Sequence, residues 1–303
     1  MGSIHFNNLG RFFALTFLLV GSSQAATLPL RKSCESGVAL KLSAGVTSQG
    51  TLLLAEISGV QDPKSFTAEW DGHTTPLWSQ SPSAKALHTL IGIDLEKAPG
   101  RYEWKVSWLG PQSQPLVCVA SVQIVAGKFP IERLKVENQF VHPDPEQQKR
   151  AEDDQKKMRA IYDTVTPEVF WKGKFRIPLD NVTTGGNFGR RRVLNGESRS
   201  PHAGVDFPSP AGTSVFAAQS GKVVLAENLY YSGNTVVIDH GFGIYTLYAH
   251  LSEIDVKAGD FVELSALLGK VGATGRVTGP HLHWGLTVDH ARVNGLQIVR
   301  RQP

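Results

Sequence analysis

Gly279-Pro280-His281-Leu282-His283-Trp284 opens the run whose reading decides the fold of the C-terminal part of this chain. His281 to Val288 reads as a strand. Successive side chains on a strand point to opposite faces, so His281 and His283 share one face. Leu282 and Trp284 then point the other way, into a core. Working towards the N-terminus, Ile244-Tyr245-Thr246-Leu247-Tyr248-Ala249-His250 is another strand-like run that closes on a histidine. Earlier still, Pro201-His202-Ala203-Gly204-Val205-Asp206 sets a histidine and a carboxylate four residues apart, and a strand would put both on one face. Imidazole and carboxylate are the ligands zinc takes at catalytic sites, three from the protein with one position open. Five candidates, His202, Asp206, His250, His281 and His283, leave two histidines free for proton chemistry. A hydrolase needs that surplus; a structural zinc site does not. A closed structural site in an exported protein would ordinarily use cysteine, and none is nearby.

The surroundings of these residues read as β-structure. Gly221–Ala226 and Asn234–His240 are further strands, and Gly-rich turns such as Gly241-Phe242-Gly243 separate them. Helical periodicity is almost absent, so an antiparallel β-sheet domain is expected over residues 171–303. Tyr245 and Tyr248 alternate with core-facing residues and are candidates to line a groove. His240 and His290 lie beside turns and read as structural or exposed.

Upstream, residues 31–126 carry short alternating strands punctuated by Gly, Pro, Asp and Ser, with Pro99-Gly100 as a clear turn. Several such strands in under a hundred residues predict an immunoglobulin-like β-sandwich. Its His73 and His88 are isolated and carry no constellation. Cys34 and Cys118 flank this unit and are the only cysteines; in an exported chain a pair predicts a disulfide tying the first strand to the last. Residues 127–170 read as a connector. Pro143-Asp144-Pro145 introduces a polar helix to Tyr162 whose few apolar contacts are Met158, Ile161 and Tyr162. The fold class expected is therefore mainly β: sandwich, helical connector, antiparallel sheet.

At the N-terminus Arg11 precedes the apolar run Phe12–Val20, and Ser23 and Ala25 follow where a signal peptidase cuts. This predicts a secretory signal over residues 1–25. The run is shorter than the ~20 residues a spanning helix needs, no cysteine at the cleavage point suggests a lipid anchor, and no later stretch is apolar enough to span. The formal charge of +4 comes without a dense Lys/Arg stripe, so a nucleic-acid partner is not expected. No sequence feature names a protein partner.

Taken in order, the motifs resemble those of the M23 peptidase family, the lysostaphin/LytM-type zinc endopeptidases of bacterial cell walls. The likeness covers about residues 180–298. Asn187-Phe188-Gly189-Arg190-Arg191 is similar to the family's F-G-x-R. His202-Ala203-Gly204-Val205-Asp206 matches H-x-G-x-D, and Tyr248-Ala249-His250-Leu251 and Gly279-Pro280-His281-Leu282-His283 come after it in the same order. The resemblance implies one Zn2+ per chain held by His202, Asp206 and His283, with His250 and His281 as the catalytic pair. It implies a peptidoglycan peptide as substrate and an exported, periplasmic location, with a secreted or wall-associated protein as the alternative. Relatives can also carry an upstream asparagine on the metal's open position; Asn181 and Asn187 are the candidates, an ordinary polar loop residue being the plainer reading. Arg191 would either bind a substrate carboxylate or brace its loop. A non-catalytic relative that binds wall and activates an amidase is the competing reading, but such members lose ligands and this chain keeps all five residues.

Overall fold

The computed structural model describes Gly2 and residues 28–301, apart from Gln80, Pro82, Thr183 and Thr184. The expected signal, with its apolar run and cleavage site, lies outside the described residues. Among the described residues no helix is long and apolar enough to cross a membrane.

Nine strands build the N-terminal unit: β1 (Leu30–Ser33), β2 (Ala39–Leu42), β3 (Val46–Ser48), β4 (Leu52–Ser58), β5 (Thr67–Trp70), β6 (His73–Thr74), β7 (Ala86–Gly92), β8 (Gly100–Leu109) and β9 (Pro115–Val125). They form two sheets, ordered β1-β2-β4-β7 and β3-β9-β8-β5-β6. Strand β8 shows why they pack: Trp104, Val106 and Trp108 are buried while Glu103 and Lys105 are exposed, the period of two that a one-sided sheet requires. Inward residues of both sheets, among them Leu40, Ile57 and Ile91 against Trp104 and Val122, make one core. The Cys34–Cys118 disulfide joins the end of β1 to β9 across the two sheets, as expected.

The chain then runs through β10 (Ile131–Leu134) and helix α1 (Pro145–Tyr162) to β11 (Arg191–Leu194) and β12 (Glu197–Ser198). The strand β10 pairs in parallel with β11, residue for residue. A four-residue strand alternating with charge gave no signal in the sequence. Helix α1 starts with Pro145 at its first turn and a capping box in which Asp144 accepts from the Gln147 amide and Gln147 accepts from the Asp144 amide. Met158, Ile161 and Tyr162 pack it onto Leu225, Leu229, Val237 and Tyr245 of the following sheet. The helix therefore packs directly onto one face of that sheet.

The remaining strands are β13 (Gly204–Pro208), β14 (Ser214–Phe216), β15 (Gly221–Leu229), β16 (Gly233–Asp239), β17 (Ile244–Ile254), β18 (Phe261–Val262), β19 (Leu267–Val271), β20 (His281–Val288) and β21 (Ala291–Val293), closed by helix α2 (Leu296–Arg300). The antiparallel sheet runs β13-β20-β17-β16-β15-β18, with β19 attached to β17 and β14, and β21 to β20. The sandwich sits directly on this sheet. Leu52 and Leu90 join its core, the Leu52 amide donates to Gln297 Oε1 at 2.9 Å, and Arg292 forks onto Asp94 at 2.7 and 2.9 Å. That guanidinium overcomes the effect of burial and holds the Asp94 carboxyl below its usual range.

Candidate active site

Strand β20 lies between β13 and β17. Asp206 pairs with His283 on one side and Ala249 pairs with His283 on the other. Directly opposed residues share a face, so Asp206, His281 and His283 look the same way, while Leu282, Trp284 and Tyr248 are fully buried behind them. By that parity His250 would face the core. It does not, because Ala249 and His250 together oppose the single residue Thr235: Asn234 pairs with Leu251 and Val236 with Tyr248. This is a β-bulge, the device that adds one residue and re-aims a side chain. His250 carries the left-handed φ of +65° that the bulge demands, and Leu251 returns to the core.

His202 precedes β13 and is held by backbone hydrogen bonds to the loop before β11: its amide donates to Arg190 O, and its carbonyl accepts from Gly189. Its Nε2 lies 2.9 Å from Asp206 Oδ1 and 2.8 Å from His283 Nδ1. His283 Nδ1 is 3.0 Å from the same carboxylate oxygen. One acceptor and two neutral imidazoles cannot satisfy all three sides of this triangle by hydrogen bonding, so the donor atoms converge on a common point. Two imidazoles and one carboxylate are a donor set for a three-ligand catalytic metal site, and the residues fit one. Among the described residues these three form the group able to hold a metal ion. The glycine of the H-x-G-x-D segment makes room for it: a Cβ on Gly204 would come within 2.5 Å of His283 Nε2 and 2.8 Å of the Trp284 carbonyl. Asn187 donates to Asp206 Oδ2 at 3.1 Å and so orients the carboxylate, whereas Asn181 is exposed.

His250 and His281 are anchored differently. Nδ1 of His250 lies 2.9 Å from the Thr274 carbonyl, and Nδ1 of His281 lies 2.9 Å from the Gly279 carbonyl. A carbonyl only accepts, so each Nδ1 carries a proton, and in the neutral ring Nε2 is then the acceptor. The rings are 4.9 Å apart, and His281 Nε2 is 3.7 Å from Asp206 Oδ1. Thr274 is brought to His250 by a close approach of two turns, where a Cβ on Gly275, at φ +75°, would meet the Gly233 amide at 2.4 Å. Burial pushes His250 down to about 3 and His283 down to about 4, so both are neutral near pH 7. Burial opposes the charge on Asp206, but the hydrogen bonds from His202 and His283 outweigh it and hold the carboxyl well below the usual range.

Other candidates fall elsewhere. Tyr245 and Tyr248 do not line a groove. Both are buried, on opposite faces of the sheet: Tyr245 packs under helix α1 and donates to the Thr164 carbonyl, and Tyr248 lies in the core with Trp284 and accepts from the Ala218 amide. Arg191 braces its loop, lying over Phe129 and 3.7 Å from Glu96. His240 is buried between the Ser220 carbonyl and the Thr246 hydroxyl, and His290 lies 3.3 Å from Asp163. The sequence reading missed Arg192 and Arg276. Both line a cavity of about 260 Å³ together with Asp206, His250 and His281.

An antiparallel sheet gathers two imidazoles and a carboxylate, the donor set of a metal-binding class of site, beside two further imidazoles. In comparison with known proteins, residues 200–295 match the model of Peptidase family M23. The chain is 44% identical over 124 residues to the peptidoglycan DD-endopeptidase ShyA of Vibrio cholerae serotype O1, covering 40% of this chain and 29% of that protein. It is 36% identical over 133 residues to the DD-carboxypeptidase/endopeptidase Mpg of Neisseria meningitidis serogroup B, covering 44% of this chain and 31% of that protein. The chain thus spans about a third of the length of these relatives. A crystal structure of a candidate M23 peptidase from Pseudomonas aeruginosa superimposes with a TM-score of 0.63 and 27% identity, covering 83% of this chain and 94% of that one.

Proposed function

We propose that this protein is an exported, zinc-dependent endopeptidase that hydrolyses peptide cross-links of bacterial peptidoglycan. The observation that carries the reading is the convergence of His202 Nε2, Asp206 Oδ1 and His283 Nδ1 beside two histidines whose Nδ1 atoms are held by backbone carbonyls. In this reading the first three residues hold one zinc ion, and His250 and His281 are the catalytic pair. A bound zinc ion supplies Lewis acidity, lowering the pKa of a water towards ~7 and polarising the scissile carbonyl. The chain's own part is proton traffic. The Nε2 atoms of His250 and His281 accept the proton of the attacking water, donate to the developing oxyanion, and return a proton to the leaving amine as the C–N bond breaks. Asn187 keeps the Asp206 carboxylate oriented. Domain limits of 1–25 for the signal, 31–126 for the sandwich, 127–170 for the connector and 171–303 for the peptidase unit belong to the same proposal, as does a periplasmic location. The names of the relatives, peptidoglycan endopeptidases, support the substrate. Retention of all five site residues supports an enzyme over an amidase activator.

Digestion of defined cross-linked muropeptides, with fragments identified by mass and zinc measured per chain, tests the reading. His283→Ala is expected to lose zinc and cleavage together. His250→Ala is expected to keep zinc and lose roughly 10²–10⁴-fold in rate. Zinc-loaded protein that cleaves no muropeptide would sink the enzyme.

A further inference from the structure

The cavity beside the histidines carries positive charge that neither metal binding nor proton transfer uses. Arg192, on β11, and Arg276, in the loop before β20, both line it. The Nε of Arg192 is buried without a hydrogen-bond partner. Its nearest carboxylate oxygen is Glu132 Oε2 at 3.9 Å, while Glu132 Oε1 is already taken by Arg190 at 2.7 Å. Arg276 stacks on Tyr231, 4.4 Å from the ring, and among the described residues no carboxylate pairs with it. Burial and the neighbouring guanidiniums of Arg192 and Arg199 push it below the usual arginine range. Arg199 is committed elsewhere, to Glu197 and the Val141 carbonyl. Two partly desolvated guanidiniums of like charge thus line one cavity and repel one another, and Arg192 is offset in part by the fields of Asp206 and Glu132. A planar guanidinium fork matches a carboxylate bidentately, and burying such charges unpaired is unfavourable. An anion arriving between them would relieve both penalties.

We propose that Arg192 and Arg276 form a carboxylate subsite that takes a free carboxylate of the stem peptide flanking the scissile bond. This rests on the proposed peptidoglycan substrate and narrows it: the enzyme would select stems whose carboxylates are free over stems in which they are amidated. The two arginines are specificity residues, and they read the substrate's charge in the cavity that His250 and His281 also line.

Calorimetric binding to the full zinc-loaded chain tests the subsite apart from catalysis. The probes are an uncleavable stem tetrapeptide with free carboxylates and its fully amidated counterpart. The wild type is expected to bind the acid roughly 10- to 100-fold more tightly. Arg192→Gln and Arg276→Gln should each abolish most of that preference with zinc content unchanged. Arg276→Lys, which keeps the charge and loses the fork, should restore only part of it, and serves if the Gln variant fails to fold. Equal binding of acid and amide by the wild type, or a preference that survives in both glutamine variants, would overturn the subsite. Muropeptide cleavage separates the two claims. Cleavage indifferent to amidation removes the subsite and leaves the endopeptidase. A strong acid preference in binding with no cleavage of any muropeptide removes the endopeptidase and leaves the subsite.

Discussion

Gly204 shows how little room the site allows. Its absent Cβ is the space that His283 Nε2 occupies, and the Trp284 carbonyl closes the other side. Gly204→Ala is therefore expected to displace the His283 ring from the triangle and weaken zinc binding about 10- to 100-fold, the range seen when groups supporting metal ligands are altered. Competition against a chelator measures this, and unchanged affinity would refute the packing argument. His240 makes a different demand. Burial pushes it down to about 4, despite the Ser220 carbonyl that works to raise it. Above pH 6.5 it is neutral whether folded or unfolded, and its full contribution is present. Between 6.5 and about 4 the unfolded chain takes a proton that the folded chain refuses, so stability falls as the pH drops and levels off below. The loss is on the order of 3 kcal/mol. Urea midpoints of the wild type and His240→Gln at about pH 7 and about pH 4 isolate this share, and equal acid sensitivity of the two would argue against it. The five histidine and aspartate residues were legible in the sequence because each sits in a motif with a chemical reason for its spacing. Arg192 and Arg276 were not, because arginine is common and their meaning lies in a proximity that a long stretch of intervening chain conceals.

At the level of elements, the strand pattern was readable and its irregularities were not. The alternation of β8 and of β20 from His281 to Leu286 reports which side faces the core, and the structure follows it there. The same rule misplaces His250, since a period of two cannot reveal that Ala249 and His250 share one partner. The bulge predicts a reversal of the usual order of substitutions. A left-handed backbone disfavours any residue with a Cβ by ~1 kcal/mol relative to glycine. His250→Gly is thus expected to be more stable than His250→Ala by about that amount in urea unfolding of the metal-free protein. The opposite order would mean that the bulge is not held in this conformation.

For the whole molecule, the sandwich and the histidine-bearing sheet share a core through Leu52 and Leu90 and an ion-pair fork through Arg292. The disulfide closes a loop of 84 residues inside the sandwich, far from the histidines in the chain. On the chain-entropy view, removing it by Cys34→Ser with Cys118→Ser lowers stability by roughly 4 kcal/mol. Zinc content and cleavage at low temperature should be unchanged, and loss of either would mean that the sandwich transmits its packing to the site.

The parallel pairing of β10 with β11 reaches further. Glu132, Leu134 and Val136, on the stretch of chain that leaves the sandwich, are also lining residues of the cavity beside the histidines. The unit that carries the histidines is thus smaller than the unit that lines the cavity beside them. A fragment beginning at Trp171 would keep every group able to bind metal or move a proton, yet it would present a trough open along one flank. The division between the two units therefore falls before Ile131: every residue lining the cavity lies from Glu132 onward, and none belongs to the sandwich.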